Sequence, residues 1–210
     1  MAKPNVVSKE ELLEAAKKCL VDRGMQRFTL RAVAETGGVT QGTVYYHFRT
    51  KERLLVDIAE DVCSQSWEEI DVQQTEESSI EHALASAKSR CTSDSFYHKL
   101  ILSLIVIGFD QEAVAEQMGA MFDYENKTLT TNIKEYWKAS PVEGVSMETW
   151  GIILNAMIDG LAMQMLQNKN IVIDDIYEEI EVFMKELSNL AKKRERPKGF
   201  GMLKRNSLFY

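Results

Sequence analysis

The stretch TLRAVAETGGVTQGTVYYHF, Thr29 to Phe48, decides how the rest of this chain is read. Two glycines stand side by side, a third follows four residues after them, and two tyrosines precede a histidine. Glycine costs a helix interior about 1 kcal/mol relative to alanine, so one continuous helix is a poor reading. Two short helices joined by a tight turn fit better, which is the helix-turn-helix pattern. Thr29 caps the first helix, which runs to about Thr36 and turns Leu30, Val33 and Ala34 inward. Gly37 is expected to take the left-handed conformation that ends it. Val39 plugs the core at the turn. Thr40 caps the second helix, Gln41 to His47, which Val44 and Phe48 hold from behind.

The outward positions of that second helix are then Thr40, Gln41, Thr43, Tyr45, Tyr46 and His47. Gly42 leaves bare backbone where another polymer can approach closely. The helix N-terminus offers N–H groups suited to a phosphate. Gln41 and Thr43 have the reach and chemistry for base edges, and tyrosine hydroxyls suit phosphate oxygens. Lys51 adds a cation beside them, and Arg31, Arg49 and Arg53 flank the segment. The bland alternative is a compact helical hairpin with exposed tyrosines.

Charge separates this segment from the rest. Residues 1–55 carry a net +4, residues 56–191 a net −17 and residues 192–210 a net +6, within a chain of net charge −7. A basic head on an acidic body suits a polyanion partner, and only the head can make that contact. The 210 residues suffice for one domain or two small ones. No run of 18 apolar residues occurs, so no membrane span is expected. The N-terminus turns charged too early for a secretory signal. Cys19, Cys63 and Cys91 are odd in number and far apart, which argues against a disulfide framework or a zinc ribbon. A reduced, cytoplasmic setting fits, with each cysteine a small buried hydrophobe before a redox sensor. His82 and His98 have no clustered ligand partners, so no metal is expected.

Strand signals are nearly absent, and IVIDD (171–175) is too short for a sheet. Helix signals are frequent. Ser8 and Glu11 form a capping box for a helix that Gly24 stops. Thr50 caps a long helix from Lys51 to about Gln73. Ser78 and Glu81 open another to Cys91, and Asp94 caps one that ends near Phe109. Further helices are expected over about 111–139, from Ser146 to about Asn168, and from Asp174 to about Lys193. The fold class is all-α. A three-helix head occupies 1–55, a larger helical body 56–193, and a basic tail 194–210. The tail is a mobile solvated end by default. It also has the charge to pack on the acidic body or to add non-specific DNA affinity.

With these residues in view, Phe28 to Leu55 resembles the DNA-binding region of TetR-family transcriptional regulators. The matching pattern is Thr29, Ala32, Val33, Ala34, Gly38, Val39, Gly42, Thr43, Tyr45, Tyr46, His47, Phe48, Lys51, Leu54 and Leu55. Gly37 departs from it, since many members carry alanine there. The resemblance implies a homodimer on a double-stranded DNA operator. It implies repression until a partly apolar small-molecule effector releases the DNA. The sequence has no glycine-rich phosphate loop after a strand, no nucleophile elbow and no His-Cys or paired-carboxylate constellation, so neither an enzyme nor a cofactor is expected. The positions matching Gln41, Thr43, Tyr45, Tyr46 and His47 commonly face DNA, and those matching Thr29, Thr40 and Lys51 commonly contact phosphates. The family's far-end placement of the C-terminus argues against a DNA role for the tail. An alternative is a member of the same fold that binds a protein partner.

The body resembles the family in architecture and in AMIDGLAMQML (156–166). Trp150, Ile153, Met157 and Leu161 lie on one helix, and Ile180, Phe183 and Leu187 on the next. They form stripes suited to a four-helix dimer interface, with Gly160 allowing close approach. The same stripes can instead face the protomer's own core. Trp67, Phe96, Leu100, Met118, Met121, Phe122, Tyr124 and Trp137 are the candidate effector-pocket lining. They suit an ordinary core equally. Glu116 and Asp123 would favour a cationic ligand, but they fit a solvated helix face better.

Overall fold

The computed structural model describes residues 7–72, 84–85, 87–89, 91–92 and 95–195, without the side chains of 66–72. Eight α-helices are bounded among these residues and no strand occurs. They are α1 (Lys9–Arg23), α2 (Leu30–Gly37), α3 (Gln41–Phe48) and α4 (Lys51–Val72), followed by α5 (Phe96–Gly108), α6 (Glu112–Tyr136), α7 (Met147–Gln167) and α8 (Ile173–Glu195). The described parts of 84–89 are helical, whereas the expected Ser78–Glu81 cap lies outside the described residues.

Local chemistry sets the head's element ends. Ser8 Oγ accepts from the Glu11 N–H at 3.1 Å while Glu11 Oε2 accepts from the Ser8 N–H at 2.8 Å, completing the capping box. Gly24, at φ 74°, ends α1. Thr29 Oγ1 accepts from Ala32 N–H and Thr40 Oγ1 from Thr43 N–H, so both expected caps are made. The left-handed residue at the turn is Gly38 (φ 65°, ψ 29°), not Gly37, which is still helical. Gly37 has a different use. A Cβ there would stand 3.2 Å from Ala15 Cβ, so its absence lets the end of α2 close on α1.

Two other expected caps move. Ser95, not Asp94, caps α5 by accepting from His98 N–H. Asp174 lies inside the first turn of α8, which begins one residue earlier. There its charge favours the positive end of the helix without capping it.

The principal core runs unbroken from head to body. Leu12, Phe28, Val33, Val44 and Phe48 join Leu54, Leu55 and Ile58 of α4, and then Leu100, Leu104, Met118 and Met121. A second cluster holds Trp137, Trp150, Leu154, Met184 and Leu187, and a third holds Ala87, Cys91, Ala162 and Tyr177. Gly151 marks the tightest crossing of α7 on α6, since a Cβ there would meet Thr130 Oγ1 at 2.2 Å. No helix of the described residues is long and apolar enough to cross a membrane.

Candidate nucleic-acid interface

Eight residues of α3 span about 12 Å, close to the width of a DNA major groove. Val44 and Phe48 are fully buried, and that fixes the opposite face toward solvent. Tyr46 is 69% exposed and Tyr45 52%. Gln41 and Gly42 are exposed too, while Thr43 and His47 are half-buried. A Cβ on Gly42 would meet only Thr40 Oγ1, at 3.6 Å, so its outer side is open. The Thr40 and Thr43 hydroxyls share a hydrogen bond at 3.0 Å, which leaves one hydroxyl hydrogen of the pair for an outside acceptor. His47 packs edge-on against Tyr46, ring centres 5.2 Å apart, and steadies that tyrosine.

The cations divide by what they already hold. Arg53 and Lys9 both pair with the buried Asp57, each at 2.7 Å, and so neutralise an interior carboxylate. Arg31 and Arg23 converge on Glu35 at 3.1 and 3.0 Å. Their hydrogen bonds hold the Glu35 carboxyl below its ordinary pKa. Lys51 donates one bond to the Met25 carbonyl at 3.4 Å and keeps two N–H donors. Arg49 follows α3 at φ 65° and ψ −53° and lays its guanidinium over both tyrosine rings. Arg49 stood in the sequence only as a flanking cation. A cation directly after Phe48, within a helical turn of both tyrosines, was the available signal. Thr29 is exposed, with its hydroxyl committed to capping α2.

The body candidates scatter. Phe96 and Leu100 line a cavity of about 290 Å³ where the head's Leu20, Val21 and Met25 meet α5. Met118 and Met121 are buried in the principal core, and Phe122 packs against it. Tyr124 is exposed. Trp137 stands apart in the second cluster, edge-on to Trp150 at 5.5 Å and donating its indole N–H to Ser188 Oγ. Trp67 has its side chain outside the described residues. Glu116 and Asp123 are exposed on α6.

Of the proposed interface stripes, Trp150 and Leu187 are buried within the protomer, whereas Met157, Leu161 and Ile180 are half-buried. Ile153 and Phe183 are exposed. A Cβ on Gly160 would meet nothing within 4 Å. All three cysteines are buried, and no group of three or more metal-ligating side chains occurs among the described residues. His82 and the tail beyond residue 195 lie outside them.

A group missed in the sequence sits between α5, α6 and α7. Tyr97 donates to Glu125 Oε1 at 2.6 Å, and Asn155 Nδ2 reaches Glu125 Oε2 at 3.5 Å. Burial raises the pKa of Glu125, with Asp159 adding to the rise, and burial also raises that of Tyr97.

Residues 8–58 match the family profile of bacterial regulatory proteins of the tetR family. The HTH-type transcriptional repressor KstR2 of Mycolicibacterium smegmatis is 34% identical over 53 residues, which cover 25% of this chain and 26% of that one. The match thus spans about a quarter of the length of the curated relatives. The likeness in fold is far longer. Salmonella enterica GusR superposes with a TM-score of 0.64 at 17% identity, over 90% of this chain and 100% of that one. A transcriptional-regulator structure from Saccharomonospora viridis in complex with choline has a TM-score of 0.64 at 15% identity, over 84% and 94% of the two chains.

Proposed function

We propose that this chain, which belongs to the tetR family of bacterial regulatory proteins, is a DNA-binding transcriptional regulator that works as a dimer. In this reading it represses from a palindromic operator and is released by a small molecule bound in the body. The family and its named relatives are transcriptional regulators, not enzymes. The observation that carries the proposal is the exposed face of α3. Gln41, Gly42, Tyr45 and Tyr46 point outward from a short helix whose back is pinned by Val44 and Phe48, inside the segment that matches the family.

In a dimer, two such helices about 34–36 Å apart would enter successive major grooves. The exposed Ile153 and Phe183, with the open side of Gly160, support α7 and α8 as the face that meets the partner copy. A ligand shifts such a dimer only if it prefers the released spacing. The similar Saccharomonospora viridis structure is a complex with choline, which supports a small organic ligand for a protein of this fold.

Footprinting tests the proposal. Purified full-length protein should protect two symmetric half-sites upstream of a regulated gene, its own included. No protected site on any promoter DNA would overturn it.

A further inference from the structure

The cavity of about 290 Å³ lies on the seam between head and body. The end of α1 gives it Leu20 and Val21, the turn after α1 gives Met25, and α5 gives Phe96, Lys99 and Leu100. Leu20 and Leu100 are buried and close its inner side, while Phe96 and Met25 are half-buried walls. Val21 is exposed at the mouth. The wall at Met25 is anchored from outside, because Lys51 donates to the Met25 carbonyl at 3.4 Å. Its thioether keeps the freedom to fit a guest. Such a volume stands at the lower edge of small-molecule pockets.

The lining is apolar apart from Lys99 and Ser103 of α5. Ser103 Oγ donates its hydrogen to the Lys99 carbonyl at 2.8 Å, so it has none for a guest. Lys99 is exposed, and no ion pair of the described residues gives it a carboxylate. It is the one charged side chain among the described residues that lines the cavity. Its ammonium carries three N–H donors. A complementary guest therefore has an apolar body and an anionic end, and a cationic end would meet a like charge. The space sets the length. A water takes about 30 Å³, so the cavity holds on the order of ten water-sized groups. A straight-chain carboxylate of about eight carbons has that number of non-hydrogen atoms.

We propose that the seam between α1 and α5 binds a medium-length alkyl carboxylate, with its chain against Leu20, Met25, Phe96 and Leu100 and its carboxylate at the Lys99 ammonium. Such a guest touches head and body at once, unlike an effector held within the body alone.

Isothermal titration of the full chain with sodium octanoate tests it, against sodium acetate, 1-octanol and octyltrimethylammonium chloride at matched ionic strength. Octanoate is expected to bind at least tenfold more tightly than acetate and at least fivefold more tightly than the alcohol or the cation. Lys99→Gln should weaken octanoate at least fivefold and leave octanol unchanged. Val21→Glu, which sets a carboxylate at the mouth, should weaken octanoate by a similar factor. Lys127→Gln on the exposed face of α6 should leave it unchanged. Both lining side chains replaced are exposed, and circular dichroism establishes that each variant is folded. Lys99→Gln decides the matter if Val21→Glu does not fold. No octanoate binding, equal binding of octanoate and octanol, or unchanged octanoate affinity in folded Lys99→Gln overturns the proposal. No DNA enters this titration. A chain that binds octanoate through Lys99 yet protects no promoter keeps the seam site and loses the regulator reading alone.

Discussion

The Arg49 guanidinium lies 5.6 Å from the centre of the Tyr45 ring and 5.8 Å from that of Tyr46. It reaches both because its backbone takes a positive φ, closed by a 2.7 Å bond from Thr50 N–H to the Phe48 carbonyl, the form of a γ-turn. Such a conformation costs a non-glycine residue about 1–3 kcal/mol. Arg49→Gly removes that cost and Arg49→Ala does not. Urea unfolding should find the glycine variant more stable than the alanine variant by about 1 kcal/mol. Both lose the cation, so both should bind DNA more weakly. Equal stabilities would show that no strain is held there.

Tyr46→Ala and Lys51→Ala should weaken DNA binding by a similar factor on every sequence. For Lys51 the salt dependence should fall by about one counterion. Gln41→Ala and Thr43→Ala should instead alter preference among bases, by about 1–3 kcal/mol at the position read. Thr40 keeps its capping bond to the backbone of residue 43, so Thr43→Ala should unfold close to wild type. Filter binding on operator and mutated operator across a salt series separates the two classes.

Glycines on one fold should answer oppositely to alanine. Gly151→Ala would force a Cβ to 2.2 Å from Thr130 Oγ1 and 2.7 Å from the Asn126 carbonyl. Overpacking of that kind costs about 1–3 kcal/mol. Gly119→Ala meets nothing within 4 Å and should gain up to about 1 kcal/mol from helix propensity. Thermal melts check the order.

Phe183→Asp should turn a dimer into a monomer in analytical ultracentrifugation, because the ring is 47% exposed and contributes little to the protomer's own core. Trp150→Ala should unfold the chain instead, at about 3–5 kcal/mol, since Trp150 is buried against Trp137. A monomeric but folded Trp150→Ala would reverse this division.

Glu125 supplies the pH test. Its carboxyl is raised above its ordinary value of 4.5, so the folded chain holds that proton more tightly than the unfolded chain. Stability from this group is greatest below the ordinary value and is lost as pH rises through the folded value. Glu125→Gln removes the titration. The variant should gain on the wild type as pH rises from about 4.5. A constant difference across that window would refute the assignment.

The head was legible because its signals are local. Caps at Ser8, Thr29, Thr40 and Thr50 act across three residues, and a buried Val44 and Phe48 dictate which side of α3 faces out. Gly37 and Gly38 were confused because sequence marks a turn but not which glycine carries the positive φ. The body was less legible because its signals are not local. Trp137 and Phe96 look alike in sequence, yet one packs on α7 and α8 and the other under the head. Asp123 and Glu125 stand two positions apart, and only the rotation of α6 against its neighbours sends one to water and the other inside. A dimer stripe and a core stripe share one period, so Trp150 and Phe183 could not be separated before α7 and α8 were placed.

The unbroken core around α4 has a mechanical consequence. Twenty-two residues make a rod of about 33 Å that begins beside α3 and ends in the body. Leu54, Leu55 and Ile58 weld its near end to the head. A tilt of about 5° at the far end of a rod that long moves the near end by about 3 Å, the reach of one hydrogen bond. On such a lever the head would be carried as cargo, with no internal change of its own shape.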